Sequence, residues 1–446
     1  MLAKNIINSV LTQALVFILG IVSGVFSTRI LGEEVKGAFS LFQANYLLFV
    51  MIFSFGIQTG IVFFISSKKY TEQVILGLSL LIFIIGTVIL TSILISSYYI
   101  GFSSYFFSDG FNNLPYIFSV ILLFIFTFLN NLVTSFFQAH SMFSIINKVL
   151  LINSILNAFT FSTIYFLFIN NKDFTSTERF DLVLIIYLLI GLINSIIWLI
   201  LYIKKIKLLP EIWNITFNIF KKFIGYSLLI YLGTIINFFN YRLDLWIVNY
   251  FLNEKDLSYY SLATNISQII LIISVTIASV ILPKLSNEND EKKYEIFTLV
   301  SRASFSVFFF IILIAILSSS YLIPLLYGRE FSPSILPFQI LSIGIFISCI
   351  TQIFTIIIIT LNKSKYNIYA CLIGLVFTVF FDLYLIPIFK INGAAVATLI
   401  SYFVIFVITY YYIITKTDIK TKNLFVLTKN DLSEGLNYIK RIKNMY

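Results

Sequence analysis

Twelve times along the chain, predominantly apolar residues run long enough to cross a lipid bilayer. The runs cover about 6–28, 38–65, 74–100, 114–137, 145–169, 181–203, 223–251, 257–282, 297–327, 333–361, 366–387 and 392–415. A helix rises about 1.5 Å per residue, so about twenty residues cover roughly 30 Å of hydrocarbon. Water is absent there, and a helix satisfies all of its own backbone groups. The pattern predicts an all-α polytopic membrane protein with twelve transmembrane helices. Composition agrees. Only 11% of residues are charged, against about a quarter in soluble domains. The first run is too long for a signal-peptide core and leads into a charged turn, so it reads as a span. Cys349 and Cys371 lie in apolar runs and read as small core residues. A single histidine, His140, builds no metal site, so neither a metal nor a cofactor is expected.

The basic residues orient the spans. With the N-terminus on the cytoplasmic side, 22 Lys and Arg fall in inside segments and 7 in outside loops; Arg242, within a span, completes the 30. This bias predicts both termini in the cytoplasm. It also accounts for the net charge of +10. Basic residues spread over many loops do not form a nucleic-acid-binding face. No outside loop is long enough to carry a catalytic domain, so an enzyme is not expected.

The longest polar interruption before the tail, "KKIKLLPEIWNITFNIFKK" (204–222), lies near the middle. Its Ile212, Trp213, Phe217 and Phe220 suggest a helix lying in the inner membrane interface, with a plain basic loop as the alternative. The two sides of it resemble each other. "LGEEVKGAFSL" (31–41) aligns with "LNEKDLSYYSL" (252–262) at an offset of 221, with Leu31/Leu252, Glu33/Glu254, Ser40/Ser261 and Leu41/Leu262 identical. The expected layout is therefore an N-terminal lobe (1–203), a linker (204–222), a C-terminal lobe in parallel repeat (223–415) and a basic cytoplasmic tail (416–446). In the tail, Leu432, Leu436, Ile439 and Ile442 fit one face of a short helix, with Lys440, Arg441 and Lys443 turned to anionic headgroups.

A charge at mid-bilayer costs about 2.5–3.5 kcal/mol on insertion scales, so it normally meets a partner or a wet cavity. "NYRLDLWIVNY" (240–250) places Arg242 and Asp244 inside the seventh span. Two residues apart, they point about 200° from each other and cannot pair on an intact helix. Gly233, Asn237, Asn240 and Asp244 share one face; Arg242 shares the other with Phe238, Trp246 and Asn249. One face should meet a cavity and the other a neighbouring helix, or both residues should make buried ion pairs between helices. Candidate cavity residues are Arg29, Lys148, Asn237, Asn240, Arg242, Asp244, Arg302 and Asp382. Arg29 reads equally well as an interfacial anchor, and Lys148 and Arg302 as anchors at inner helix ends. Asn131, Thr134 and Gln138 share a face and could bond across helices. The candidates are mostly basic or amide, which suits an anionic ligand such as a phosphate.

Four stretches resemble a known family. They are "STRILGEEVKGAFSL" (27–41); "RLDLWIVNYFLNEKDLSYYSLA" with "ILPKLS" (242–263, 281–286); "PLLYGREFSPSILPFQILSIG" (324–344); and "LIPIFKINGAAVATLIS" (385–401). The chain resembles the polysaccharide (O-antigen) flippases of the multidrug/oligosaccharidyl-lipid/polysaccharide exporter superfamily. Asn253 and Ser258 stand where the family usually has glycines. The resemblance implies two six-helix lobes, a V-shaped central cavity and alternating access. It implies a polyprenyl-diphosphate-linked oligosaccharide as cargo, moved from the inner to the outer leaflet. It further implies membrane-lipid contacts, an H⁺ or Na⁺ counter-ion, and a glycan polymerase of the same pathway as a partner. A multidrug/cation exporter of the same fold is the alternative, and it would favour acidic cavity residues.

Overall fold

In the computed structural model the described residues are 2–108, 110–168, 174–286, 289–361, 363–417, 419 and 421–426. Among them there is no strand. The helices are α1 (Leu2–Ser54), α2 (Ile57–Ser66), α3 (Glu72–Tyr99), α4 (Leu114–Ala139), α5 (Phe143–Phe168), α6 (Ser176–Lys205) and α7 (Phe217–Phe251). They continue as α8 (Glu254–Ile269), α9 (Leu271–Ser286), α10 (Asp290–Tyr327), α11 (Ile335–Thr360), α12 (Ser364–Lys416) and a short α13 (Lys422–Phe425). Residues 432–443, expected as a tail helix, lie outside the described residues.

Among the described residues, ten helical stretches are long and apolar enough to cross a membrane. Two of these lie on 53-residue helices, about 80 Å if straight and far beyond the bilayer. Each is interrupted by one non-helical residue, Gly32 (φ 72°, ψ 179°) in α1 and Lys390 (φ 52°, ψ −135°) in α12. At Lys390 the chain doubles back. Ser401 Oγ donates to Gly374 O at 2.9 Å, and the Tyr366 and Tyr412 rings lie 4.5 Å apart. On a straight helix residues 374 and 401 would be about 40 Å apart. Gly393 permits the reversal, because a Cβ there would collide with the Leu385 carbonyl. Counted as two spans at each interruption, the ten become the twelve of the sequence pattern.

Two spans read as continuous are broken. The 38–65 run stops at Phe55 (φ 47°) and Gly56 (φ 67°), and α2 begins at Ile57. The 257–282 run is interrupted at Ile270, between α8 and α9. Neither break is marked by a charged residue; the first arises from packing. A Cβ on Gly56 would lie 2.5 Å from Tyr231 Cβ and 2.9 Å from Ser227 O, so α7 approaches the backbone there too closely for any other residue.

The interfacial helix expected within 204–222 does not form. Lys207 adopts φ 59°, ending α6, and no helix resumes until Phe217. Pro210 lacks an N–H to donate. The backbone of Glu211 is held by α3 instead: its N–H donates to Gln73 O at 3.0 Å, and it abuts Gly77. Leu209, Trp213 and Phe217 remain exposed.

The described chain divides into two compact units. One holds the residues up to Phe238 with Leu252–Ser258 and Leu326–Gly328; the other holds Phe239–Phe251, Tyr259–Leu325 and the described residues from Arg329 on. The first unit is packed with phenylalanine. Phe39, Phe42, Phe124, Phe128 and Phe180 are fully buried, and Phe180 meets Phe39 and Phe42 edge-on at 5.5 and 5.9 Å. Between membrane helices close packing replaces the hydrophobic driving force, and edge-on rings pack closely. The aligned segments also meet within this unit. Gly37 N donates to Ser258 Oγ at 2.6 Å, and Lys255 Nζ to Glu33 Oε1 at 2.8 Å. Positions 37 and 258 are themselves separated by the repeat offset of 221. In the second unit Phe354 packs against Phe297, Phe406 and Tyr410, while Cys349 and Cys371 are buried free thiols.

Candidate functional site

The second unit gathers acidic side chains where the sequence looked for a basic cavity. Asp244, on α7, is buried. Its Oδ1 accepts from its own helix at Leu245 N (2.9 Å). Its Oδ2 accepts from the Tyr260 hydroxyl on α8 and from Thr398 Oγ1 on α12 (3.5 Å). Asp382, from the other arm of α12, is 0% exposed, and neither of its oxygens meets a hydrogen-bond donor among the described residues. It lies close enough to Asp244 and Tyr260 for their charges to interact. A carboxylate with no partner in a membrane interior is costly. An unpartnered Asp382 near Asp244 has the chemistry to capture a proton or a small cation.

The hairpin in α12 explains how the group assembles. Folding at Lys390 sets Asp382 and Thr398, sixteen positions apart, at similar heights on neighbouring arms. Asn240, one turn before Asp244, donates through Nδ2 to Cys371 O at 3.0 Å. Asn240 and Asp244 are therefore buried against helices of their own unit. Arg242 points elsewhere, as its 200° offset requires. Its Nη1 donates to Asn265 Oδ1 at 3.0 Å on α8, and the residue is half-buried. Asp244 is held by hydroxyls and a backbone amide, and Arg242 contacts a neutral amide.

Arg29 is built into the first unit. Its Nε donates to Leu326 O (2.6 Å) and its Nη1 to the Tyr165 hydroxyl (2.9 Å), with the guanidinium 5.6 Å from the Tyr165 ring centre. Leu326 is in the last turn of α10, where carbonyls lack partners within the helix. Lys148 is exposed on α5, and Arg302 half-buried on α10. Asn237 is half-buried on α7, in the first unit, whereas Asn240 belongs to the second. Thr134 bonds within its own helix, to Asn130 O at 2.7 Å, and not across helices. Tyr260 and Thr398 are the members that sequence reasoning missed. Tyr260 stood in the quoted "SYYSLA" and Thr398 in "GAAVATLIS", but nothing in a linear sequence aims them at Asp244.

A polytopic helical membrane protein with this helix order has the fold of a known class of exporters. Its backbone is similar to a structure described as "Lipid II flippase MurJ, inward closed conformation", with a TM-score of 0.72 and 18% identity over 94% of this chain and 89% of that one. It is similar to an inward-facing multidrug resistance MATE family transporter of the MOP superfamily: TM-score 0.70, 13% identity, 88% of this chain and 92% of that one. A MOP superfamily transporter from Pyrococcus furiosus gives a TM-score of 0.58 and 13% identity, covering 93% of this chain and 96% of that one. No curated protein matches the chain by sequence. The family described as "Polysaccharide biosynthesis protein" matches residues 2–288, and the chain belongs to that family.

Proposed function

We propose that the chain is a flippase. It carries a polyprenyl-diphosphate-linked oligosaccharide repeat unit from the cytoplasmic to the outer leaflet of a bacterial plasma membrane, by alternating access, for surface polysaccharide such as O-antigen or capsule. The observation that carries this reading is the family match across residues 2–288 on an exporter fold. A glycan diphosphate cannot enter hydrocarbon unaided, because its hydroxyls and charges would lose their hydrogen bonds. In this reading both termini are cytoplasmic, residues 1–203 and 223–415 are parallel repeats, and a glycan polymerase receives the product. Arg242 offers a guanidinium to the diphosphate. The buried Asp244–Asp382 pair takes the counter-ion, H⁺ or Na⁺, whose gradient drives the cycle.

The test is restoration of surface glycan in a strain lacking its own flippase, with membrane abundance measured alongside. Wild type should restore the glycan. Arg242→Lys should keep part of the activity, because a point charge still attracts phosphate, whereas Arg242→Gln should be abundant and inactive. An active Arg242→Gln would remove Arg242 from the cargo path, and an unstable one would assign it a structural role through Asn265. Asp382→Asn should be abundant but insensitive to an imposed H⁺ or Na⁺ gradient; gradient-driven transport by that variant would refute the coupling role. Reporter fusions at Asn112 and Lys207 should read outside and inside. A protein that expels ethidium but leaves glycan unrestored is the drug exporter instead.

A further inference from the structure

The broken helix α2 lines a cavity in the first unit that is chemically unlike the acidic group in the second. The cavity measures about 660 Å³ and is bounded by Gln58, Thr59, Val62, Phe63, Ser66 and Ser67 of α2 and its C-terminal end, Gln138 of α4 and Tyr226 of α7. Small-molecule sites occupy about 300–1,000 Å³. Its wall holds no carboxylate, arginine or lysine. Residues with two primary amides, four hydroxyls and the rings of Phe63 and Tyr226 line it. Those rings stack face to face at 4.0 Å with a 21° tilt.

The hydroxyls are set to accept. Thr59 Oγ1 spends its proton on Gly56 O (2.7 Å) and Ser67 Oγ on Phe64 O (3.3 Å), leaving their lone pairs for a ligand's O–H groups. Amides supply both donors and acceptors. The site also has an independent structural mark. Interrupted helices persist inside membranes where they line a cavity or are buried in protein. Here the interruption at Phe55–Gly56 immediately precedes the lining residues, and the second span of the other half is interrupted too, at Ile270. Gly56 and Gly60, in "GIQTG", let α7 close against α2: a Cβ on Gly60 would collide with Ser227 Oγ. That contact brings Tyr226 beside Phe63. Lys69 Nζ lies over the Phe63 ring, 5.0 Å from its centre.

We propose that this cavity is a sugar subsite: it binds a neutral hexose-type residue of the cargo, one ring face laid on an aromatic side chain and the hydroxyls bonded to Gln58, Gln138, Thr59 and Ser66. Sugars combine an apolar C–H face with a rim of hydroxyls, and this lining answers both. An organic cation would find no negative charge in this lining, and the nearby Lys69 ammonium lies over the Phe63 ring. The proposal deepens the flippase reading and rests on it.

The test uses the full chain in nanodiscs with two probes. One is the lipid-linked oligosaccharide fraction extracted from the cells that make this protein. The other is the same fraction after mild acid has cleaved glycan from diphosphate. Wild type should retain the intact fraction about tenfold more tightly, the scale of one or two well-made hydrogen bonds and a stacked ring. Gln58→Leu, Gln138→Leu and Tyr226→Leu should each shrink that ratio to about threefold or less, through the intact probe alone. Gln138 is exposed, so its variant tests the idea even if the packed Tyr226 variant fails to fold. A ratio that survives in the folded glutamine variants overturns the sugar subsite and leaves the flippase reading standing. Retention of neither fraction by wild type overturns the cargo reading, and the subsite with it.

Discussion

Replacing Gly37 with alanine puts a methyl group where three backbone atoms of another segment already lie. The new Cβ would stand 2.6 Å from Ser258 N, 2.7 Å from Glu254 O and 2.9 Å from Leu257 C. Favourable carbon contacts need about 3.5–4.0 Å. Backbone cannot rotate aside as a side chain does, so α1 and the start of α8 must separate by about 0.8 Å. That displacement also stretches the 2.6 Å bond from Gly37 N to Ser258 Oγ. Overpacking of this kind costs about 1–3 kcal/mol, and a weakened buried hydrogen bond about 1 kcal/mol more. Gly24, on the same helix, has nothing within 4 Å of its would-be Cβ. There alanine should be neutral or stabilising by up to about 1 kcal/mol, through helix propensity. The assay is unfolding of the purified protein in mixed micelles as the SDS fraction is raised, with both variants run against wild type. Gly37→Ala should unfold earlier and Gly24→Ala no earlier. Equal midpoints for the two would refute the close approach of Gly37 to Ser258.

Three further outcomes follow from the contacts. Tyr260→Phe removes the hydroxyl that donates to Asp244 inside the second unit, and should destabilise the protein by about 1–3 kcal/mol in the same unfolding assay; an unchanged midpoint would mean that Asp244 is satisfied by Thr398 and Leu245 alone. Arg29→Lys cannot reach Leu326 O and the Tyr165 hydroxyl together from one ammonium with the geometry of the fork, so it should lower the midpoint, and methionine in its place should lower it further. Cys349 and Cys371 should resist maleimide in the native protein and react after SDS unfolding; rapid labelling of either in the native state would contradict its burial.

Much of the architecture was legible in the chain because the bilayer imposes a length and a polarity on every span. The twelve apolar runs, the turns at Gly32 and Lys390, and the buried cysteines needed only hydropathy and charge. Only the fold shows Gly37 lying on Ser258, 221 positions away. The breaks at Phe55–Gly56 and Ile270 were hidden, because hydropathy averages over a run and carries no record of a neighbour's approach. The linker failed as a helix for a similar reason. Its apolar residues suggested an interface, but Pro210 and the bond from Glu211 to Gln73 fixed the backbone otherwise. The sequence identified Asp244 and Asp382 as residues out of place in hydrocarbon, since burial of charge is costly wherever it occurs. It could not say that they share a site. Residues 244 and 382 become neighbours only when α12 doubles back and sets Asp382 and Thr398 beside α7 and α8, and a side chain's partner is a property of the packing of helices far apart in the chain.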